Sequence, residues 1–79
     1  MGNLRQNPNE MTDHHIICSS RGGLSDKRNI KRVPDGFHNA FHQVFENLMP
    51  AEIYDYLDEV WFNPKRSFIS PALWLKERD

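Results

Sequence analysis

Residues 12–45 read TDHHIICSSRGGLSDKRNIKRVPDGFHNAFHQVF and hold all four histidines of the 79-residue chain. His14 and His15 open a short β-prone run with Ile16 and Ile17 that reaches Cys18. Arg21-Gly22-Gly23 is turn chemistry, because paired glycines permit positive φ and close backbone approach. Asn29 to Val33 is expected as a second strand, which makes the segment a hairpin with a long basic loop. Pro34-Asp35-Gly36 stops that strand, with Asp35 as a helix N-cap. Phe37, Ala40, Phe41, Val44, Phe45 and Leu48 then recur at i, i+3, i+4, i+7, i+8 and i+11, the signature of an amphipathic helix.

Outward from this stretch the chain divides simply. Residues 1–11 carry three Asn, a Gln and a Pro and read as a flexible tail. Met49-Pro50 breaks the first helix, and Pro50 suits the first position of the next. Ile53, Leu57, Val60 and Trp61 recur at helical spacing, with Glu52, Asp55, Asp58 and Glu59 opposite them. Ser70-Pro71 caps a short terminal helix over 72–78. The expected main core is Phe37, Phe41, Val44, Phe45 and Leu48 against Ile53, Leu57 and Trp61. Trp61, Phe62, Phe68 and Trp74 read as a second small core, with some of them left exposed as a partner surface.

Seventy-nine residues make one domain with a modest core, which often needs a staple. The single cysteine, Cys18, rules out an intramolecular disulfide and reads as packing or a strand edge; a bound metal is the staple that remains. Met1 to Glu10 has no apolar h-region, Gln6 breaks the myristoylation pattern, and no apolar run approaches a membrane span. A cytoplasmic protein without a membrane partner is the expectation. The formal net charge of −1 hides an asymmetry: residues 1–32 hold six Lys/Arg against three Asp/Glu, and residues 33–79 hold four against eight. The basic charge concentrates in Arg21, Lys27, Arg28, Lys31 and Arg32, a patch able to hold phosphates. A charge run alone is more often a solvated loop.

His38 and His42 stand i, i+4 on the strong helix, so their imidazoles share a face about one turn apart, as a shared metal requires. A third ligand from the first strand completes a three-histidine site. An open position then remains for water or a phosphate oxygen, the pattern of a catalytic centre. Imidazole ligands suit Zn, Ni, Cu or Fe better than Mg or Ca. Mn or Mg can still act if a substrate phosphate joins the coordination sphere. Phosphodiester hydrolysis needs an activated water, a cation on the developing charge and neutralisation of the phosphate, and a neutral imidazole is a suitable base near pH 7.

The order His14-His15-Ile16-Ile17, Ser20-Arg21-Gly22-Gly23, Asn29-Ile30, His38 and His42 resembles the HNH nuclease motif, especially the version in colicin-type DNases. The resemblance spans residues 12–45 and implies a hairpin and helix gripping one divalent metal. It implies His14, His38 and His42 as metal ligands and His15 as the general base. It implies that Asn29 holds the hairpin loop and orients the base, and that Arg21 touches a phosphate. Asp13 precedes His14, so a register with Asp13 as ligand and His14 as base stays open; the distance to Gly22-Gly23 and the following Ile16 favour His15 as base. Cys18 stands where proline is common, and the Cys-x-x-Cys pairs of many relatives are absent.

The sequence therefore predicts an α+β fold: a small ββα-metal (HNH) core over residues 12–48, with a helical and aromatic extension of the same domain over 49–79. The predicted function is metal-dependent cleavage of nucleic acid, DNA in preference to RNA. The cofactor is one divalent ion among Zn, Ni, Mn and Mg. The phosphate-binding residues are Arg21, Lys27, Arg28, Lys31 and Arg32. The alternative is a metal-stabilised module without catalysis that binds nucleic acid or protein, or an accessory subunit of a larger complex. A second copy or a protein partner would dock on the C-terminal aromatic segment.

Overall fold

A computed structural model describes residues 9–78. The expected tail thus lies largely outside the described residues. Its end does not, because Met11 already belongs to a strand. Strand β1 (Met11–His15) pairs antiparallel with β2 (Ile30–Pro34), with Met11 opposite Pro34, His14 opposite Lys31 and His15 opposite Ile30. Helices α1 (Asp35–Phe45), α2 (Pro50–Tyr56) and α3 (Pro71–Arg78) follow, and a π-helical turn, Leu57–Trp61, extends α2. Two antiparallel strands and three helices make this a small α+β domain with a ββα order at its start. No helix of the described residues is long and apolar enough to cross a membrane.

The first strand sits three residues earlier than its β-prone side chains suggest. Asn29 is the reason. Its carbonyl accepts from the Ile16 N–H at 2.8 Å and its side-chain oxygen accepts from the Ile17 N–H at 2.8 Å. The first of these bonds keeps the register of the ladder one step past His15; the second gives the Ile17 N–H to a side chain and ends the pairing, and Ile16 and Ile17 are exposed. Strand alternation then assigns the faces. Thr12 and His14, with their cross-strand partners Val33 and Lys31, lie on the face toward α1, while Asp13, His15, Ile30 and Arg32 lie on the other. An ion pair of 3.3 Å between Asp13 and Arg32 on that second face agrees.

Helix α1 begins at Asp35 with Pro34 at its cap, so Asp35 is a first-turn residue and not the cap; its carboxylate accepts from the Asn39 amide at 3.2 Å. The periodicity predicts a helix through Leu48, but it ends at Phe45. Glu46 turns the chain at φ 53° and ψ −122°, the one non-glycine residue with positive φ among the described residues. Leu48 thereby leaves the α1 stripe and enters a different core. A non-glycine residue in such a conformation costs about 1–3 kcal/mol. Glu46→Gly is accordingly expected to raise stability by about 1 kcal/mol, or roughly 4–8 °C in a thermal melt of a domain this size. A lower melting temperature would mean that the Glu46 side chain contributes more than its backbone costs.

The buried core is Leu48, Tyr56, Val60 and Trp74, with Phe45, Ile53, Ile69 and Leu75 packed against it. Phe45, Leu48 and Ile53 belong to it as expected, while Tyr56, Val60 and Trp74 stand in place of the other residues of the expected core. No residue of α1 is buried, Phe37 is 74% exposed, Val44 is at the surface and Trp61 is half exposed. Of the four aromatics expected as a second small core with some left exposed, Trp74 is buried, Phe62 and Phe68 are exposed, and Trp61 and Phe68 pack edge-on with centroids 5.4 Å apart. The π turn explains part of the exchange. Its i→i+5 bond, Phe62 N–H to the Leu57 carbonyl at 2.8 Å, adds a residue to the turn, in which Val60 is buried and Trp61 half exposed. The α1 stripe instead walls an open apolar groove of about 540 Å³ with Val33, Leu57 and Trp61, and His14 and His38 also line it.

Candidate metal centre

Strand and helix deliver three imidazoles to one place. His14 points from β1 at α1, and its ring centroid lies 5.2 Å from His38 and 5.4 Å from His42; the two helix rings are 4.8 Å apart, as their i, i+4 spacing requires. Each residue offers a ligand nitrogen within 4.8 Å of the other two. Three histidines so placed are close enough to bind one metal ion. Phe41, between the helix ligands, packs edge-on against His14 at 4.5 Å and holds strand to helix.

The local chemistry fits a cation. His14 is buried, and its Nδ1 is the one buried side-chain nitrogen or oxygen among the described residues without a hydrogen-bond partner. An unsatisfied buried nitrogen is costly, and a metal ion coordinated there would satisfy it. Burial, reinforced by the imidazoles of His38, His42 and His15, lowers the His14 pKa below the ordinary histidine value. The neutral form that a metal needs is thus favoured. The other two rings have partners at Nδ1: His38 meets the Thr12 hydroxyl at 2.9 Å, and His42 meets the Glu46 carbonyl at 3.2 Å.

Asp13 is not in this group. It lies on the far face of the hairpin with Arg32, so the structure gathers His14 and not Asp13 with the helix histidines. His15 is also outside it. It closes β1, half exposed on the side away from the three rings, with Nε2 3.2 Å from the Ser25 hydroxyl. Asn29 clasps the loop: beyond its bond from Ile17 N–H, its amide donates to the carbonyls of Ile17 at 3.0 Å and Leu24 at 2.9 Å. Gly23 is obligatory beside it, because a Cβ there would collide with the Ile17 carbonyl and the Asn29 amide. Gly22 supplies the left-handed turn at φ 93°. Cys18 is buried, and its carbonyl accepts from Arg21 and Gly23 N–H.

The basic residues are less free than their spacing suggests. Arg21 donates both Nη groups to the Glu52 carboxylate at 3.0 and 2.9 Å, and also to the Asn47 carbonyl at 3.0 Å. It braces the hairpin loop against the start of α2. Arg28 folds onto Asp26 at 3.0 Å and Arg32 onto Asp13. Lys27 and Lys31 have no ion pair among the described residues. Lys31, opposite His14 in the ladder, shares the face of the three imidazoles. Thr12, Ser25 and Glu46 went unread in the sequence, and Glu52 was read only as part of a polar helix face; their parts depend on contacts from 3 to 31 residues away.

The Arg21 hydrogen bonds hold the Glu52 carboxyl below the usual carboxylate range, outweighing its partial burial, and the Met49 N–H at 2.8 Å assists. A depressed carboxylate stabilises the fold above its ordinary pKa, and that contribution fades as pH falls through the lowered one. Glu52→Gln is expected to lose roughly 1–2 kcal/mol at neutral pH. Its stability should vary less with pH below about 4.5 than that of the wild type. Urea melts at several acidic pH values measure this, and parallel curves would show that the pair contributes nothing.

No family model matches the chain, and neither a curated protein nor a solved structure matches it.

Proposed function

We propose that this domain is a metal-dependent endonuclease of the HNH type, hydrolysing phosphodiester bonds in nucleic acid, with DNA preferred to RNA. The observation that carries the proposal is the convergence of His14, His38 and His42 beside a strand end that carries His15. A divalent ion held by those three histidines would polarise a phosphate oxygen and offset the charge that develops on the leaving oxygen. Zinc or nickel suits an all-imidazole donor set best, with manganese or magnesium as the alternative.

The chain's own residues do the rest. His15 takes the proton of the attacking water. Its Nε2 lies 3.2 Å from the Ser25 hydroxyl, and in the tautomer with hydrogen on Nε2 the nitrogen left to accept that proton is Nδ1. Asn29 fixes the backbone just past His15 and so orients the base. Lys31 neutralises the phosphate beside the centre, and Lys27 adds to the loop's charge. Arg28 and Arg32 can exchange their carboxylates for phosphate at little cost, since such exposed pairs are worth about 0–1 kcal/mol. Arg21, bidentate and half buried, serves as the brace of the loop.

A second reading is a metal-stabilised binding module without catalysis. Two observations favour it: strand alternation turns His15 off the face of the three imidazoles, and three of the five loop cations already hold carboxylates. Incubation of the purified chain with plasmid DNA and with RNA in Mg, Mn, Ni and Zn separates the two readings. The nuclease cleaves with at least one of these metals and stops when a chelator is added. The module binds metal and loses melting temperature on chelation, yet cuts nothing.

A further inference from the structure

We infer that Thr12 and the backbone carbonyl of Glu46 are positioning groups of the three-histidine centre, locking His38 and His42 in the tautomer that presents Nε2 to a shared metal. The inference rests on the metal-centre reading and goes beyond it by naming what sets the donor atoms.

A neutral imidazole has one N–H and one lone pair, and only the lone-pair nitrogen binds a metal. What the other nitrogen touches therefore decides which atom is free. A carbonyl only accepts, so at His42 the contact with Glu46 requires hydrogen on Nδ1. This leaves the lone pair on Nε2. At His38 the partner is a hydroxyl, which can play either part. Its single hydrogen has a second acceptor in the Val33 carbonyl, 3.1 Å away on the cross-strand partner of Thr12, and we take it to be directed there. Toward His38 the hydroxyl is then an acceptor at 2.9 Å, and His38 also carries hydrogen on Nδ1. The ladder register holds the first lock and the reversed turn at Glu46 holds the second.

The turn makes more sense with this role than without it. Glu46 adopts the one positive φ of a non-glycine residue among the described residues, one turn beyond His42. Its N–H bonds the His42 carbonyl at 2.9 Å and its own carbonyl returns to the His42 ring, so the same residue ends the helix and orients the ligand. His14 completes the arrangement differently. Its Nδ1 is buried without a partner, so strand and helix contribute one unsatisfied ring and two locked ones. Outer partners of this kind typically change metal affinity by about 10–100-fold.

Calorimetric titration of zinc and nickel into wild type, Thr12→Val and Thr12→Ser tests the first lock. Valine keeps the β-branched shape and deletes the acceptor, and its affinity should fall by about 10–100-fold. Serine restores the hydroxyl and should bind within a few-fold of wild type. Long-range nitrogen–proton correlation spectra of the metal-free proteins report the tautomers directly. His38 and His42 should both be Nδ1–H in wild type, and His38 should become a mixture in Thr12→Val while His42 stays unchanged. Equal affinity of Thr12→Val and a metal-binding wild type would overturn the inference and leave the metal centre standing, as would an Nε2–H form of either ring in wild type. A wild type that binds neither metal would overturn both together.

Discussion

Replacing His15 with alanine is expected to leave the fold and metal binding intact while lowering phosphodiester cleavage by about 10²–10⁴-fold. His15 stands outside the group of three ligands and is only half buried, so its removal leaves neither a cavity nor a vacant coordination position. What is lost is proton transfer from the attacking water. His42→Ala must behave differently. It removes a ligand, so cleavage and metal affinity should fall together, and added metal should no longer raise the melting temperature. Asn29→Ala lies between them. It deletes three hydrogen bonds that hold Ile17 and Leu24, loosening the loop beside His15 without touching the three rings. Cleavage kinetics and metal calorimetry on the same preparations distinguish the three patterns. If His15→Ala cleaves as fast as wild type, His15 is not the base, and the position of its ring on the far face of the hairpin becomes the explanation.

The ββα order and the helix pair His38 and His42 were legible because each rests on local spacing, while His14 was implied by the resemblance to the HNH motif. An i, i+4 histidine pair on an amphipathic helix has one geometry, and a strand packed on that helix can reach it. The loop-holding role of Asn29 came from the resemblance to the HNH motif, and it fits the way a short amide in a turn bonds nearby backbone. The strand limits were not, since Ile16 and Ile17 have β-prone side chains whose backbone N–H groups Asn29 takes. The basic loop misled in the same way: Arg21 meets Glu52 across 31 residues, and no local pattern announces that pairing. The core was misread for a physical reason. Periodicity shows which side of α1 is apolar but not what covers it, and the C-terminal half folds over Leu48, Tyr56 and Val60 in preference to α1.

Trp74→Ala should therefore destabilise the domain by about 3–5 kcal/mol, the scale of a large buried aromatic truncated to alanine. Trp74 is 1% exposed and packs edge-on against Tyr56, itself 0% exposed, with ring centroids 5.5 Å apart. Its indole N–H donates to Glu59 at 2.9 Å, and the Arg78 guanidinium lies 4.4 Å above its ring. Tyr56 in turn donates its hydroxyl to the Ile69 carbonyl at 2.7 Å, tying the segment before α3 to α2. Alanine empties the centre of this assembly and leaves Glu59 with Arg78 alone, and a small domain has little stability beyond a loss of that size. The contrast is with the α1 stripe. Phe37→Ala should change stability by less than about 0.5 kcal/mol, because an exposed ring buries almost nothing to lose. Phe41→Ala, which removes a half-buried ring against His14 and Phe45, should fall between at roughly 1–2 kcal/mol. Urea unfolding of the three variants in the presence of a chelator isolates packing from metal binding. Were Phe37→Ala to cost as much as Trp74→Ala, the open groove on α1 would have to close in solution, and the division of the chain into a covered C-terminal core and an uncovered ββα face would be wrong.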